Sequence, residues 1–554
     1  MEKRLILAIV LSFLVLIGYQ LLFVKPKPQV PETPAAAPPA LARTEGAPSG
    51  QAAAPASAAA KPAQQPGPAQ GLKATAAQPE TEVVVETSLY RAVWTTKGAV
   101  LKSWKLKRHL NDKKEPLDLV PAQSRETGRF PFALALEDKA LAASLNAALF
   151  EASKATVELA DGRSDEVRFT YSDGKSVRAE KVYRFTGGTY AVGIELRVWT
   201  NGQEAAPSLV WGPGIGNPSP AELNKRITST VGAAVYSGGK VARLDEKKYK
   251  PEASAWNFVD WAAYEDNYFA ALFVLPPQKG QTTFEREVPA EGQAPLYFLS
   301  VSRPGTAFIG PKDFDALKAF GHDAKKAINF GAFGSIAEIL LISVKYFYKL
   351  VPNWGVAIIL LTLVIKIIFF PLTYSSTKSM AKMAELQPKI KALRAKYKKA
   401  KTDIEQRRQM NEEMMKLYKE HGVNPAGGCL PLLIQLPIFW GVFRMLVASV
   451  EFRHAPFVLW IQDLSVKDPL PVPVLPILMG ITQFITQKMT PTTADPAQAK
   501  MMLIMPVIMT VFFMNFQSGL ILYWLTTNVL QIAQQAIMNR MMARQKGKDN
   551  GKRR

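Results

Sequence analysis

Hydrophobic and polar residues follow three different patterns along this chain. An apolar run of twenty residues, Leu5–Val24, follows the opening MEKR. From about residue 80 to 330, short β-branched and aromatic segments such as TEVVVETSLYRAVWTT and TYAVGIELRVW are separated by turn residues such as TNG and SGGK. Long apolar runs return beyond residue 350. The short segments predict strands, and apolar runs of about 20 residues have the length of a membrane-spanning helix.

The first apolar run predicts an anchor in the membrane. A cleaved signal peptide carries an apolar core of only about 7–15 residues, so residues 1–24 predict an uncleaved signal-anchor helix with its amino end in the cytoplasm. Cleavage further on, in the Ala-rich stretch, is the alternative. Residues 25–79 are rich in Pro, Ala and Gln and cannot bury a core, which predicts an extended, disordered tether.

Residues 80–330 predict one all-β domain of two packed sheets. Its position after an anchor with a cytoplasmic amino end places it in the periplasm. A carbohydrate-binding module is the alternative, but no cluster of aromatic residues with acidic partners stands out in the sequence.

The last third of the chain predicts helices. Residues 331–352 contain Ile336–Leu350, whose apolar face lies opposite Lys345 and Lys349, and this pattern is typical of a helix lying on the membrane surface. Residues 353–540 contain five further predicted spans, which are Trp354–Leu372, Cys429–Val450, Val472–Gln487, Met501–Phe516 and Leu520–Met538.

The distribution of Lys and Arg predicts the orientation. Residues 374–422 carry thirteen and the tail after Asn539 carries seven, whereas residues 451–470 carry only Arg453 and Lys467. Because cytoplasmic loops are enriched in Lys and Arg, both basic segments are expected inside, with six spans and both termini in the cytoplasm. The tail, 541–554, is then a basic cytoplasmic segment.

The basic segment 374–422 also shows helical spacing. Met383, Leu386 and Ile390 predict one helix, and Met414 and Leu417 a returning one, so the segment is expected to form a helical hairpin. Its basic surface either enforces topology as a solvated face or docks on ribosomal RNA or anionic lipid.

Polar residues inside the predicted spans are the main functional signal. Lys366 interrupts an otherwise apolar span, and a charge at that depth costs roughly 3 kcal/mol or more. Snorkelling to the cytoplasmic face is one interpretation. Each glutamine in the spans, taken alone, fits a hydrogen bond between two helices. Taken together, the polar residues lie in the cytoplasmic halves of their spans, which predicts a hydrated groove open to the cytoplasm and closed toward the periplasm. The candidate groove residues are Thr362, Lys366, Gln435, Gln483, Gln487, Trp524, Asn528 and Gln531.

Composition and motifs argue against an enzyme. The net charge is +22, but the basic residues lie mainly beside the apolar spans and form no motif that reads nucleic acid. There is one cysteine, Cys429, and the four histidines are scattered, so no metal site is predicted. GxxxxGK[ST], HExxH and GxSxG motifs are absent from the sequence. We expect no catalytic residue, no cofactor and no metal.

A cation in a half-open hydrated groove suits a transient guest with acidic or polar groups. The hydrophilic segment of a nascent membrane protein is such a guest, and its apolar helix would leave sideways into lipid. Without a nucleotide site, the energy is expected to come from partitioning, at about 0.3–0.6 kcal/mol per Leu or Ile, and from the membrane potential.

A family resemblance agrees with this interpretation. Residues 353–540 resemble the YidC membrane protein insertases of Gram-negative bacteria in the stretches SMAKMAELQPKI, VNPAGGCLPLLIQLPIF, APFVLWIQDLS, VLPILMGITQF, QKMTPTTADP and MPVIMTVFF. The resemblance implies a polytopic α-helical membrane protein with six transmembrane helices, a five-helix insertase core and a periplasmic super-β-sandwich domain. It also implies insertion of nascent inner-membrane proteins, alone or with the Sec translocon and its accessory subunits.

The resemblance also assigns roles within the groove. The family's groove cation is typically Arg, and the following Pro371–Thr373 aligns it with Lys366 here. Lysine keeps the charge but loses the bidentate fork, and it can deprotonate when desolvated. Thr362, Gln435 and Trp524 belong to the same implied face. Further expected contacts are the lipid bilayer and, through the basic hairpin and tail, the ribosome.

Two other classes compete with this interpretation. A proton-coupled transporter needs acidic partners and an internal repeat, and the predicted spans contain no Asp or Glu and no repeat. An assembly factor built around the β domain would tolerate mutation of Lys366 but not loss of the β domain.

Overall fold

A computed structural model describes residues 74–75, 79–216, 231–277, 279–289, 293–397, 403–422, 430–490 and 496–552. The predicted anchor 1–24 and nearly all of the predicted tether 25–79 lie outside these residues.

Strands occupy the described residues between 82 and 311. They are β1 Glu82–Glu86, β2 Tyr90–Thr95, β3 Val100–Leu110, β4 Pro116–Asp118, β5 Ala133–Ala135, β6 Glu151–Ala152, β7 Thr156–Glu158, β8 Ser164–Ser172, β9 Val177–Thr186, β10 Ala191–Thr200, β11 Gln203–Ala205, β12 Ser208–Trp211, β13 Gly232–Ser237, β14 Lys240–Asp245, β15 Ala255–Asn257, β16 Trp261–Glu265, β17 Phe269–Val274, β18 Gln281–Glu287, β19 Leu296–Ser302 and β20 Thr306–Pro311.

These strands form three sheets rather than the two predicted from the pattern. A ten-stranded sheet has the order β14-β13-β16-β17-β20-β10-β9-β8-β6, with β11 beside β10. Two five-stranded sheets have the orders β4-β3-β2-β1-β7 and β15-β18-β19-β12-β5. β1 and β7 pair in parallel, and the other described strand pairs that form these ladders are antiparallel.

One aromatic core joins the three sheets. Trp94 on β2 stacks on Tyr183 of β9, with ring centroids 4.2 Å apart. Phe132 contacts both Tyr183, at 5.3 Å, and Phe273 on β17, at 6.1 Å. Trp211 of β12 lies 6.0 Å from Phe273. The two smaller sheets therefore cover one face of the ten-stranded sheet side by side, which makes the domain a β sandwich.

Eleven α-helices lie within the described residues. They are α1 Ala122–Thr127, α2 Lys139–Ala147, α3 Phe314–Phe320, α4 Gly334–Leu350, α5 Trp354–Glu385, α6 Gln387–Lys396, α7 Ile404–Glu420, α8 Leu430–Ala448, α9 Val474–Met489, α10 Pro496–Phe513 and α11 Ser518–Lys552.

Helix α5 continues past the predicted end of its span at Leu372. Its segments Trp354–Ile368 and Phe370–Glu385 meet at an angle of 59°. Pro371 explains the bend, because proline lacks the backbone N–H and its ring collides with the preceding turn. By length and hydropathy, Gly331–Leu350 is the described helix that can cross a membrane by itself, and bent α5 qualifies when its two segments count as one.

The helices pack around α11, which contacts α5, α8 and α9, while α10 packs on α9 and α4 packs on α5 and α8. Small residues permit the closest approaches. A Cβ on Gly480 would lie 2.0 Å from Oγ1 of Thr510, and one on Gly441 would lie 2.7 Å from the Ile336 side chain. Glycine at these positions brings α9 against α10 and α4 against α8.

Ion pairs join the segment after the β domain to the helices. The Lys345 ammonium lies 3.1 Å from a carboxylate oxygen of Asp313, 2.9 Å from one of Asp315 and 3.0 Å from one of Glu451. Nearby, the Arg444 guanidinium donates to the backbone carbonyl of Asn329. Arg444 of α8 thus bonds to the segment that leaves the β domain.

Helices α6 and α7 run antiparallel. Their apolar contact consists of buried Met383, Leu386 and Ile390 against Met414, Leu417 and Tyr418. Lys389 lies 3.0 Å from His421 at one end, and Lys396 lies 2.8 Å from Glu413 further along. Met383 belongs to α5, which ends at Glu385, and Leu386 separates α5 from α6.

Candidate functional site

Lys366 is bonded to the last helix. Its position on α5 follows from an apolar run that packs one face against neighbouring helices and leaves Lys366 half-buried. The ammonium donates to the side-chain oxygen of Gln531 on α11, with the two atoms 2.9 Å apart. No ion pair joins Lys366 to a carboxylate among the described residues, so the partner of its side chain here is the neutral amide of Gln531.

Polar groups of α9 contact α11 within the two turns that precede Gln531. The indole nitrogen of Trp524 donates to the side-chain oxygen of Gln483 over 3.2 Å. The Asn528 amide donates to the backbone carbonyl of Met479, at 3.2 Å, and to the Thr482 hydroxyl, at 3.3 Å. Asn528 is buried by these contacts and is therefore satisfied within the helix interface.

Two further candidates have different surroundings. Gln435 on α8 donates its amide to the hydroxyl of Tyr523, with the atoms 2.9 Å apart. Thr362 is buried, and its hydroxyl donates back to the carbonyl of Ile358 on its own helix over 2.7 Å. The structure thus brings Gln435 to α11 and leaves Thr362 within the packing of α5.

The structure brings together eight polar residues around α11, and we call them the polar cluster. They are Lys366, Gln435, Thr482, Gln483, Tyr523, Trp524, Asn528 and Gln531. Gln487 is half-buried, and among the described residues it makes no hydrogen bond to the cluster. The list of candidate groove residues drawn from the sequence does not include Tyr523 or Thr482. Tyr523 precedes Gln531 by eight residues and so shares its helix face, which is a signal available from the spacing.

An aromatic layer closes one end of the polar cluster. The Trp524 ring lies 5.0 Å from Phe439 of α8 and 5.0 Å from Phe513 of α10. Phe516 lies 5.0 Å from Phe513 and 6.1 Å from Phe443. The Trp524 ring therefore packs in the aromatic layer while its indole nitrogen bonds to Gln483. Trp524 thus lies at the boundary between the aromatic layer and the rest of the polar cluster.

The cluster suits reversible contact with polar guests. Its amides and hydroxyls offer donors and acceptors, and Lys366 adds a cation. The described residues group no three His, Cys, Asp or Glu side chains for a metal ion.

Comparison with known proteins gives two adjoining family matches. The family described as 60Kd inner membrane protein matches residues 346–546, and the YidC periplasmic domain matches residues 82–343. A protein named membrane protein insertase YidC from Geobacter metallireducens is 38% identical over 560 residues, which cover 98% of this chain and 99% of that protein. A protein of the same name from Citrifermentans bemidjiense is 38% identical over 558 residues, covering 98% and 100%.

A solved structure described as an active YidC insertase with its first transmembrane domain resolved covers 84% of this chain and 93% of its own. The identity is 21% and the TM-score 0.36. The sequence matches, which run over nearly the whole chain, carry the family assignment.

Proposed function

The chain belongs to the YidC family of membrane protein insertases, and we propose that its substrates enter the bilayer along a groove lined by the polar cluster. The observation that carries this proposal is the Lys366–Gln531 bond, in which a lysine on α5 has a neutral amide of α11 as its partner rather than a carboxylate. Polar side chains at membrane depth need partners or water, so a cluster of this kind favours hydration from one side.

The groove is proposed to open to the cytoplasm and to end at the aromatic layer. Lys366 and Gln531 lie toward the ends of their spans that adjoin the basic segments, whereas Trp524 lies nearer the opposite end of α11's span and its ring contact Phe439 lies at the middle of α8. A hydrophilic segment that enters such a groove crosses only the remaining apolar thickness. The apolar helix of the substrate then moves into lipid and gains several kcal/mol, at about 0.3–0.6 kcal/mol per Leu or Ile.

The proposed topology follows the basic residues and the buried charges. Six spans with both termini in the cytoplasm place the β domain in the periplasm and the chain in the bacterial inner membrane. Helix α4 is proposed to lie at the outer membrane surface, although its length suffices for a span. Lys345 near its end bonds to Asp313, which caps the start of α3, and Lys325 lies 2.8 Å from Glu338 near its start. A transmembrane α4 would draw these ion pairs into hydrocarbon.

The proposed partners follow from the same placement. They are nascent membrane proteins, the lipid bilayer and the Sec translocon with its accessory subunits, with the ribosome at the basic cytoplasmic surface of α6 and α7. The insertion step needs no nucleotide or metal, since partitioning and the membrane potential supply its energy.

Insertion by the purified protein tests the role of the polar cluster. The substrate is a small single-span protein with an acidic outer segment, and its translocation into proteoliposomes is measured by protease protection. We expect Lys366→Leu to lower insertion at least about tenfold, because the cation is lost, and Lys366→Arg to retain it. Ile367→Leu, a change at the exposed neighbouring position, is the matched control.

Normal insertion by Lys366→Leu would contradict the proposal. That result would favour the assembly-factor alternative, in which the periplasmic β domain carries the function.

A further inference from the structure

We propose that the tight turn formed by residues 457–461 is an apolar finger that inserts into the outer leaflet of the membrane at the boundary between headgroups and acyl chains. The turn lies between α8 and α9. The finger is proposed to contact lipid. It is separate from the proposed groove, because no residue of the turn belongs to the polar cluster. The inference rests on the proposed placement of the helical core in the membrane.

Hydrogen bonds within the turn hold its tip outward. The Phe457 amide donates to the Ile461 carbonyl over 2.9 Å, and the Ile461 amide donates to the Val458 carbonyl over 3.1 Å. The Gln462 side chain donates to the Leu459 carbonyl over 2.7 Å. Leu459 has a φ of 55°, a conformation that leucine rarely adopts. The backbone is therefore satisfied locally, and the side chains at the tip are left to their surroundings.

The tip side chains are apolar and exposed. Leu459 is 73% exposed and Val458 is 49% exposed. Trp460, which follows them, is half-buried and packs against the hydrophobic core, so the exposed tip consists of the two aliphatic side chains. Two adjacent exposed aliphatic side chains on a hydrogen-bonded turn are costly in water and stable against lipid.

The charged side chains of the same loop contact the protein. The Arg453 guanidinium donates to the Leu110 carbonyl of the β domain over 2.8 Å, and His454 lies 3.7 Å from an oxygen of Asp112. Asp468 is buried, and its carboxylate accepts from the Leu475 amide over 2.8 Å. The loop is thus amphipathic, with its polar side on the protein and its apolar tip away from these contacts.

Continuity with the lipid-facing helices identifies the occupant. The Asn353 side chain donates to the Phe457 carbonyl over 3.0 Å, and a Cβ on Gly355 would meet the Phe457 ring at 2.1 Å. The turn is therefore seated on the start of α5, and the preceding helix α4 exposes apolar side chains that include Tyr346 and Leu350. An apolar patch at that level, beside helices of a membrane protein, fits the interface of the bilayer.

Depth-dependent quenching tests the inference in the full chain. Cys429→Ser removes the single native cysteine, and Val458→Cys, Leu459→Cys, Val288→Cys or Ile367→Cys then carries an environment-sensitive fluorophore. The protein alone is placed in phosphatidylcholine vesicles that contain a lipid nitroxide either near the headgroup or near the chain end. Val288 on the β domain is the matched control, because it is 49% exposed like Val458.

We expect labels at 458 and 459 to be quenched about twofold more by the shallow nitroxide than by the deep one. The label at 288 should be quenched by neither, and the label at 367 more by the deep one. If 458 and 459 behave like 288 while 367 is quenched, the finger is wrong and the membrane placement stands. If 367 is also unquenched, the proposed placement itself fails. Stronger quenching of 458 and 459 by the deep nitroxide would also overturn the interfacial assignment.

Discussion

The ammonium of Lys366 and the side-chain oxygen of Gln531 lie 2.9 Å apart, although 165 residues separate them in the chain. The bond joins the first helix of the core, α5, to the last one, α11. One interaction therefore links the groove cation to the packing of the helical core. The consequence is that the two residues should behave as a coupled pair.

Replacing Gln531 tests this coupling. Gln531→Leu leaves the Lys366 ammonium without its described partner, so we expect insertion to fall several-fold and the protein to lose about 0.6–2 kcal/mol of stability in detergent. Protease protection in proteoliposomes and thermal unfolding measure the two effects. Combined with Lys366→Leu, the double variant should lose less than the sum of the single losses.

Gln487→Leu is the control for this experiment, since among the described residues Gln487 makes no hydrogen bond to the polar cluster. If the losses caused by Lys366→Leu and Gln531→Leu simply add in the double variant, the bond between the two residues contributes no free energy.

The aromatic layer is expected to keep the membrane sealed. Trp524→Ala removes the ring that contacts Phe439 and Phe513, so proteoliposomes should leak small ions faster than those with the unchanged protein. Trp524→Phe keeps an aromatic ring but loses the bond to Gln483, and it should remain sealed. Decay of a potassium diffusion potential reports the leak. Equal leak rates for the two variants would contradict a sealing role of the ring.

The carboxyl group of Glu451 is expected to produce a pH dependence of stability. Burial raises its pKa to about 7, and the neighbouring Asp313 acts in the same direction while Lys345 opposes it. Because the folded protein then holds a proton that the unfolded chain releases near pH 4.5, stability should fall as the pH rises from about 4.5 to about 7. The expected amplitude is at most about 3 kcal/mol.

Glu451→Gln should remove this slope, and thermal unfolding from about pH 5 to pH 8 compares the variant with the unchanged protein. The stability curve of the variant is subtracted from that of the unchanged protein, because His109 changes stability with pH in the opposite direction. Burial lowers the pKa of His109 to about 4, so its contribution to stability grows as the pH rises from about 4 to about 6.5. A difference curve that is flat over this range would rule out the assigned role of Glu451.

A second pH effect is expected at Lys181 inside the β domain. Its Nζ donates to the carbonyls of Gly98 and Phe132, at 2.7 and 2.9 Å, and burial lowers its pKa to about 7. The folded state therefore favours the neutral amine, and stability should be lost as the pH falls from about 10.5 to about 7. Tryptophan fluorescence during thermal unfolding at about pH 7.5 and 9.5 measures this change.

Lys181→Met should abolish the alkaline slope and lower stability at about pH 9.5 by about 1–3 kcal/mol, because buried carbonyls lose their donor. Lys102→Met removes an exposed lysine that lies 3.0 Å from Glu80, and it should change stability by less than about 1 kcal/mol. Similar losses from the two variants would show that the buried carbonyl contacts add nothing.

Local pattern was sufficient for most of the regular structure. The alternating segment TEVVVE became β1, Glu82–Glu86, and the amphipathic pattern at Ile336–Leu350 became α4, which begins at Gly334. Both patterns repeat at the period of the element they form, so the chain neighbours of each residue already decide its conformation. The grouping of strands into three sheets was not visible, because pairing joins segments far apart in sequence.

The sequence by itself determined which residue types lie inside the apolar helices and at which position along them, since both follow from position within an apolar run. Only the tertiary structure decided their partners, because the rotation of each helix about its axis is set by packing. That rotation turns Lys366 to Gln531, buries Thr362 against its own backbone carbonyl and brings Tyr523 to Gln435. Depth along a helix is a one-dimensional property that sequence encodes locally, whereas contact across helices is a property of the whole core.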